Sequence, residues 1–77
     1  MSVEPIEVDA RGLMCPLPLL RLKKALVSVE VGGIVKIQAT DPAARLDFGV
    51  FVEQAGHTQI ACQEEGDVLI FLIQKGR

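Results

Sequence analysis

The sequence contains no tryptophan and no tyrosine, and three phenylalanines are its only aromatic residues. The stacking platforms with which proteins bind single-stranded nucleic acid require several aromatic side chains. Ten acidic residues outnumber eight basic ones, so the chain also lacks the positive charge of a dedicated nucleic-acid binder. We therefore expect no direct contact with nucleic acid. Hydrophobic residues make up 49% of the chain, and the core must come mainly from Leu, Ile, Val and Ala.

Cysteine and histidine are also scarce, because Cys15, Cys62 and His57 are the only ones. These three side chains are too few for a disulfide-dense scaffold or a four-ligand zinc site, so we predict no metal and no cofactor. No apolar run reaches the roughly 18 residues of a membrane-spanning helix. Residues 1–9 lack the basic start and apolar stretch of a signal peptide. We expect a cytoplasmic protein with free thiols and no membrane contact.

Four segments have the composition of β-strands. Apolar and acidic residues alternate over Ile6–Ala10, and Ile34–Thr40 is rich in β-branched residues. The chain closes with a predicted hairpin of His57–Gln63 and Val68–Ile73, joined by a turn over Glu64–Asp67. The last strand is apolar on both faces, which is typical of a strand in the interior of a sheet.

Two segments have the amphipathic pattern of helices. The first is predicted to run for roughly 14 residues from Cys15 to the glycines at positions 32 and 33. The second begins with Asp41 as its cap and Pro42 as its first residue, and it ends at Gly56. Its apolar stripe is predicted to consist of Leu46, Val50 and Phe51.

The element order βαβαββ predicts the fold class α+β, as a two-layer sandwich in a single domain spanning residues 1–77. Parallel pairing of the first two strands requires a right-handed crossover through the first helix.

The segment from Gly12 to Pro18 carries the strongest chemical signal. Cys15 falls where the first helix begins, Pro16 at its first position and Pro18 in its first turn, so the prolines fix the direction of the thiol. Gly12 permits the preceding turn. A helix N-terminus favours a thiolate, so we expect a moderately lowered pKa for Cys15, with the amide of Leu17 as the nearest donor.

A lone cysteine is more often a small buried hydrophobe than a nucleophile. Cysteine is not a preferred helix cap, however, so its use at a proline-rigidified helix start indicates a role for the sulfur.

The Cys-Pro-x-Pro box at positions 15–18 lies in a stretch, Asp9–Pro18, that resembles the signature of the TusA/SirA-like sulfur-carrier family. The resemblance extends over nearly the whole chain. It continues through Asp41-Pro42, Asp47, Gln54–His57 and Phe71–Gly76. Two departures are Leu46, where members often carry a basic residue, and Gly49, where many have proline. These departures bear on the start of the second helix and on partner docking.

The resemblance implies that two helices pack on one face of a four-stranded mixed sheet. It also implies that Cys15 holds sulfur as a persulfide, received from a cysteine desulfurase or a rhodanese-like donor. An acceptor protein then takes the sulfur for tRNA thiolation, cofactor maturation or sulfur oxidation. Such a carrier is a sulfurtransferase that acts on proteins, so whether it counts as an enzyme is a matter of naming.

Side chains around the thiol are candidates for docking these partners. The apolar candidates are Met14 and Leu20, and the basic ones are Arg11, Arg21 and Lys24. Ordinary burial of the apolar residues and solvation of the basic ones are the alternatives. We expect a monomer.

Two other functions remain open at this point. The first is a regulatory or protein-interaction module without sulfur chemistry. The second is a redox protein in which Cys15 and Cys62 form a disulfide. Cys62 is predicted to face inward beside Ile60, which favours burial over reactivity. His57 is predicted to have a structural role at the end of the second helix.

Overall fold

The computed structural model describes residues 4–77 and contains six elements in the predicted order. They are β1 (Ile6–Ala10), α1 (Leu17–Val27), β2 (Ile34–Ala39), α2 (Ala44–Ala55), β3 (Thr58–Glu65) and β4 (Val68–Gln74). The strand order is β1-β2-β4-β3, with β1 parallel to β2 and the other pairs antiparallel. The mixed sheet, the parallel first pair and the interior place of β4 are thereby confirmed. Within residues 4–77, no helix is long and apolar enough to cross a membrane.

The core lies between one face of the sheet and the two helices. Alternate residues of β2 and β4 point into it, because successive side chains of a strand face opposite sides. The buried members from the sheet are Ala10, Val35, Ile37, Ala39, Leu69, Phe71 and Ile73. From the helices, Leu22, Leu26, Ala44, Phe48 and Val52 pack against them. The rings of Phe48 and Phe71 meet edge to face, with centroids 4.7 Å apart.

Helix α1 is shorter than predicted at both ends. It begins at Leu17, so Pro16 is the cap rather than the first helical residue, and Pro18 is in the first turn. It ends at Val27 and is capped by Ser28. The amide and the hydroxyl of Ser28 both donate to the carbonyl of Ala25, at 3.1 and 2.8 Å. A serine hydroxyl that bonds back to the chain competes with the helical ladder, and the glycines that follow lie in a separate turn.

Helix α2 buries a different face from the one predicted. Leu46 is 71% exposed and Val50 46% exposed, so the stripe was wrong for both, while Phe51 packs partly against the core. The buried face is centred on Phe48, which brings more apolar area than either aliphatic residue. Two exposed apolar side chains therefore remain on α2.

Helix α2 also begins later than predicted, at Ala44 instead of Pro42. Asp41 first closes a turn: its Oδ1 accepts from the amide of Ala43 at 3.0 Å, and its carbonyl accepts from the amide of Ala44. Asp41 therefore caps a turn ahead of the helix.

Strand β3 contains an irregularity that separates two residues predicted to share a face. The register shifts between Gln59 and Ala61, so Ile60 is exposed while Cys62 pairs with Phe71 and packs against the core. One extra residue in a strand reverses the alternation on one side of it. The inward position of Cys62 is confirmed, and that of Ile60 was wrong.

His57 forms hydrogen bonds at the end of α2 that account for its position in the sequence. Gly56 has the left-handed φ of 81° that glycine adopts readily, and the amide of His57 then donates to the carbonyl of Val52 at 2.9 Å. Nδ1 of His57 accepts from the amide of Gly76 at 3.0 Å. The predicted structural role is confirmed, because this imidazole ties the chain end to the helix end.

Candidate functional site

The thiol of Cys15 is exposed in the loop between β1 and α1. Strands β1 and β2 are parallel neighbours, so their carboxyl ends lie side by side. The β1–α1 loop and the β2–α2 loop therefore leave the sheet at the same end of the strands. Carboxyl ends of neighbouring parallel strands are where α/β folds commonly place their sites. The cysteine therefore lies where two loops can act on it together.

Two hydrogen bonds tie these loops to each other. The amide of Gly12 donates to Oγ1 of Thr40 at 2.9 Å, and the amide of Cys15 donates to Oδ2 of Asp41 at 2.7 Å. Gly12 has a φ of 79°, which explains the glycine at this turn. Asp41 is only 7% exposed, and it uses its second oxygen for the amide of Ala43. One buried carboxylate thus fixes the backbone of the cysteine relative to the start of α2.

A second carboxylate contacts the sulfur itself. Sγ of Cys15 donates to Oδ2 of Asp47, in the first turns of α2, at 3.4 Å. This hydrogen bond raises the pKa of Cys15, and desolvation and the negative charges of Asp47 and Asp41 raise it further. The expectation of a lowered pKa was therefore wrong in direction: the thiol of the free protein is held in its protonated form.

The start of α1 does not compensate for these carboxylates. The amide of Leu17, predicted as the nearest donor, instead donates to the carbonyl of Met14 at 2.8 Å. Pro16 and Pro18 have no amide hydrogen to offer. Both prolines thus remove donors that would stabilise a thiolate at Cys15.

Arg11, on the loop of Cys15, and Arg45, on the helix of Asp47, are both paired with other carboxylates. Arg11 donates through Nε and Nη2 to the two oxygens of Asp9, at 2.9 and 3.0 Å. Arg45 pairs with Glu64 at 3.0 Å. The charges that shift the pKa of Cys15 are instead those of Asp47 and Asp41, and both raise it. The electrostatic surroundings of the sulfur are acidic.

The Asp9–Arg11 pair has a measurable pH signature. Hydrogen bonds from the side chain and then the backbone of Arg11 lower the pKa of Asp9 from 3.8 to about 2. A lowered folded-state pKa stabilises the fold above pH 3.8, and this contribution is lost as the pH falls through about 2. We expect an NMR titration of the Asp9 carboxyl carbon to have its midpoint near 2, and Arg11→Ala to move it upward. A midpoint near 3.8 in the unsubstituted protein would contradict the pairing.

Three of the five residues predicted to dock partners line one surface groove. The groove of about 820 Å³ lies between α1 and β1, and Leu17, Leu20, Arg21 and Lys24 line it together with Ile6, Val8 and three further residues of α1 and its cap. Leu20 is 52% exposed. Arg11 and Met14 do not line this groove. Pro18 is buried under the helix start.

No cluster of metal-ligating side chains accompanies the thiol in the described part of the chain. Among residues 4–77, no group of three or more His, Cys, Asp or Glu side chains is placed to hold a metal ion. The arrangement instead suits direct reaction of an exposed sulfur with a partner's sulfur, since thiol exchange needs access and a leaving group.

Sequence reasoning missed Asp41 and Asp47 as site residues. Asp41 was interpreted only as a helix cap, and Asp47 was noted only as part of the family resemblance. Their contacts with Cys15 span 26 and 32 residues of sequence, so no local pattern reveals them.

Comparisons with known proteins agree with one another. The family model described as sulfurtransferase TusA matches residues 6–75. The sulfur carrier protein TusA of Allochromatium vinosum is 45% identical over 69 residues, 90% of this chain and 91% of that protein. The sulfur carrier protein TusA of Pseudomonas entomophila is 38% identical, over 88% of this chain and 85% of that protein. The crystal structure of a SirA-like protein from Desulfitobacterium hafniense matches with a TM-score of 0.81 and 30% identity, over 94% of this chain and 99% of that one.

Proposed function

Because this chain belongs to the TusA sulfurtransferase family and is a sulfur carrier, we propose that it holds the sulfur as a persulfide on Cys15. The observation that supports this choice is the difference between its two cysteines. Cys15 is exposed in a loop that Asp41 fixes, whereas Cys62 is half-buried and packs against the core. Only an exposed sulfur can be reached by a sulfur on another protein.

Loading is an exchange between two sulfur atoms. The Cys15 thiolate attacks the outer sulfur of a persulfide on the donor, so one S–S bond forms and the donor's S–S bond breaks. The donor's cysteine leaves with the electron pair and takes up the proton that Cys15 has lost. Unloading repeats this step in the other direction, with the acceptor's thiolate as the nucleophile. No external oxidant or reductant is consumed.

We propose a cysteine desulfurase or a rhodanese-like protein as the donor, and docking in the groove between α1 and β1. Helix α1 carries three basic residues and no acidic one, although the whole chain has more acidic than basic residues. Leu17 and Leu20 supply apolar area, and Arg21 and Lys24 steer an acidic surface toward it. A partner with an acidic and apolar surface therefore fits this side of the carrier.

Intact-mass spectrometry of the loaded protein tests this proposal. The full chain is incubated with a cysteine desulfurase and cysteine, and a second sample is treated with reductant. We expect one added sulfur atom, its loss on reduction, and its location in the peptide that contains Cys15. Sulfur on Cys62, or no adduct with a desulfurase, a rhodanese and polysulfide in turn, would overturn the assignment and favour an interaction module.

A further inference from the structure

Asp47 is the one charged side chain in contact with the sulfur of Cys15 among residues 4–77. Its Oδ2 accepts the thiol hydrogen at 3.4 Å, and this is the only hydrogen bond of its side chain in the described structure. No Lys, Arg or His of residues 4–77 forms an ion pair with it. The carboxylate is half-buried, so water compensates its charge only in part. A half-buried carboxylate that contacts a reactive sulfur and has no cation of its own requires an explanation.

We propose that Asp47 is a positioning residue that keeps Cys15 a protonated thiol in the free carrier, and that the partner's sulfur-exchanging site presents a positively charged side chain that pairs with Asp47. This inference rests on the proposed role of Cys15 as the sulfur-bearing residue. It adds a feature of the partner: a basic group beside its reactive cysteine, in addition to the acidic surface that fits α1.

The charges around the thiol support this assignment. Asp41 also faces Cys15, but both of its oxygens are occupied by backbone amides. Arg11, on the same loop as the thiol, is paired with Asp9, and Arg45, on the same helix as Asp47, is paired with Glu64. The described chain therefore has no cation of its own that neutralises Asp47. A cation brought by a docked protein would do so.

The consequence for sulfur transfer follows from the reactive form of cysteine. A thiolate, and not a thiol, attacks a disulfide or a persulfide. In the free carrier, the contact with Asp47 disfavours the thiolate, which protects an exposed cysteine from oxidants and small disulfides. When a partner's cation pairs with Asp47, the thiol proton leaves more easily, and Cys15 attacks the partner's outer sulfur. Reaction is thereby restricted to partners with the correct charge.

Small charged disulfides serve as probes of this mechanism. Cystamine carries a positive charge near each end and dithiodipropionate a negative one, and both exchange with Cys15 to give a mixed disulfide and one free thiol. We expect the unsubstituted protein to react roughly threefold to tenfold faster with cystamine at low ionic strength, with a smaller ratio in high salt. In Asp47→Asn the ratio is expected to fall to near one. The rates do not involve sulfane sulfur, so they test this inference even if Cys15 carries none.

The pH dependence of alkylation by neutral iodoacetamide gives a second readout. Asp47→Asn is expected to shift the profile to lower pH and to alkylate roughly threefold to tenfold faster at pH 7. Glu53→Gln removes the same charge from an exposed position of the same helix and is expected to match the unsubstituted protein, and Asp47→Glu to retain most of the effect. The inference would be overturned if folded Asp47→Asn and Glu53→Gln had the same ratio of cystamine to dithiodipropionate rates and the same pH dependence of alkylation.

Discussion

A Cys15→Ser variant is expected to accept no sulfur under conditions that load the unsubstituted chain. Serine has nearly the size of cysteine, and its hydroxyl can donate to Asp47 as the thiol does. The backbone amide at position 15 still donates to Asp41. We therefore expect a change of less than about 1 kcal/mol in the free energy of unfolding, because the side chain is exposed. An alcohol oxygen does not form a persulfide, so the loss of loading is complete while the fold persists.

Cys62→Ala is the matched control for this variant. It removes the other thiol of the chain from a half-buried position, at a cost of about 1 kcal/mol of unfolding free energy. Loading and reductive unloading, followed by intact-mass spectrometry, are expected to be unchanged. Persistent sulfur on Cys15→Ser would contradict the assignment. Loss of reversible thiol chemistry in both variants would instead favour a redox pair, which the core position of Cys62 opposes.

The secondary structure was predictable where the local sequence pattern and the tertiary packing favour the same element and the same buried face. Alternation over Ile6–Ala10 gave β1 with the bounds it has in the structure, and the apolar run of β4 placed that strand inside the sheet. The face of α2 was not predictable in this way. Leu46 and Val50 lie at plausible helical spacing, but only Phe48 reaches Phe71 across the layer. Which of two possible stripes is buried depends on the partner surface, which the helix sequence does not contain.

The position of Cys15 ahead of the first helix was predictable, but its electrostatic surroundings were not. The Cys-Pro-x-Pro box correctly places an exposed sulfur just ahead of α1. A moderately lowered pKa was expected because the amide of Leu17 at the helix start would donate to the sulfur. In the structure the turn over residues 14–17 takes up the amide of Leu17, and Asp47 approaches from the other helix. A local motif therefore locates the exposed cysteine, whereas tertiary contacts with Asp47 and Asp41 favour its protonated form.

The departures from the family pattern acquire meaning from this geometry. Leu46, which stands where members often carry a basic residue, directly precedes Asp47 and is exposed. A basic side chain there would lie close in sequence to the carboxylate that contacts the thiol. Its absence agrees with a site in which the partner, and not the carrier, supplies the cation. On the proposal made above, partner selection would depend on charges on both sides of the interface.

An Asp41→Ala variant is expected to have the largest combined effect on stability and loading. The buried carboxylate accepts from the amides of Cys15 and Ala43, at 2.7 and 3.0 Å. Alanine leaves both donors without a protein partner, and each unsatisfied group costs about 1–3 kcal/mol. We expect a loss of about 2–4 kcal/mol of unfolding free energy, which is a large fraction of the stability of a domain this small. Because the backbone of Cys15 then loses its hydrogen bond to the β2–α2 loop and only the Gly12–Thr40 bond still ties the two loops, sulfur loading is expected to slow by about tenfold.

Urea unfolding and the rate of persulfide formation measure the two effects separately. Asp41→Asn retains one acceptor oxygen, so it is expected to lose about half as much stability as Asp41→Ala. Asp67→Ala removes an exposed carboxylate from the β3–β4 turn, and it controls for the change in net charge. Loading is compared at a urea concentration and temperature where every variant is folded. Unchanged loading in a folded Asp41→Ala would show that this carboxylate stabilises the fold without positioning Cys15. Unchanged stability would show that water replaces the carboxylate at both amides.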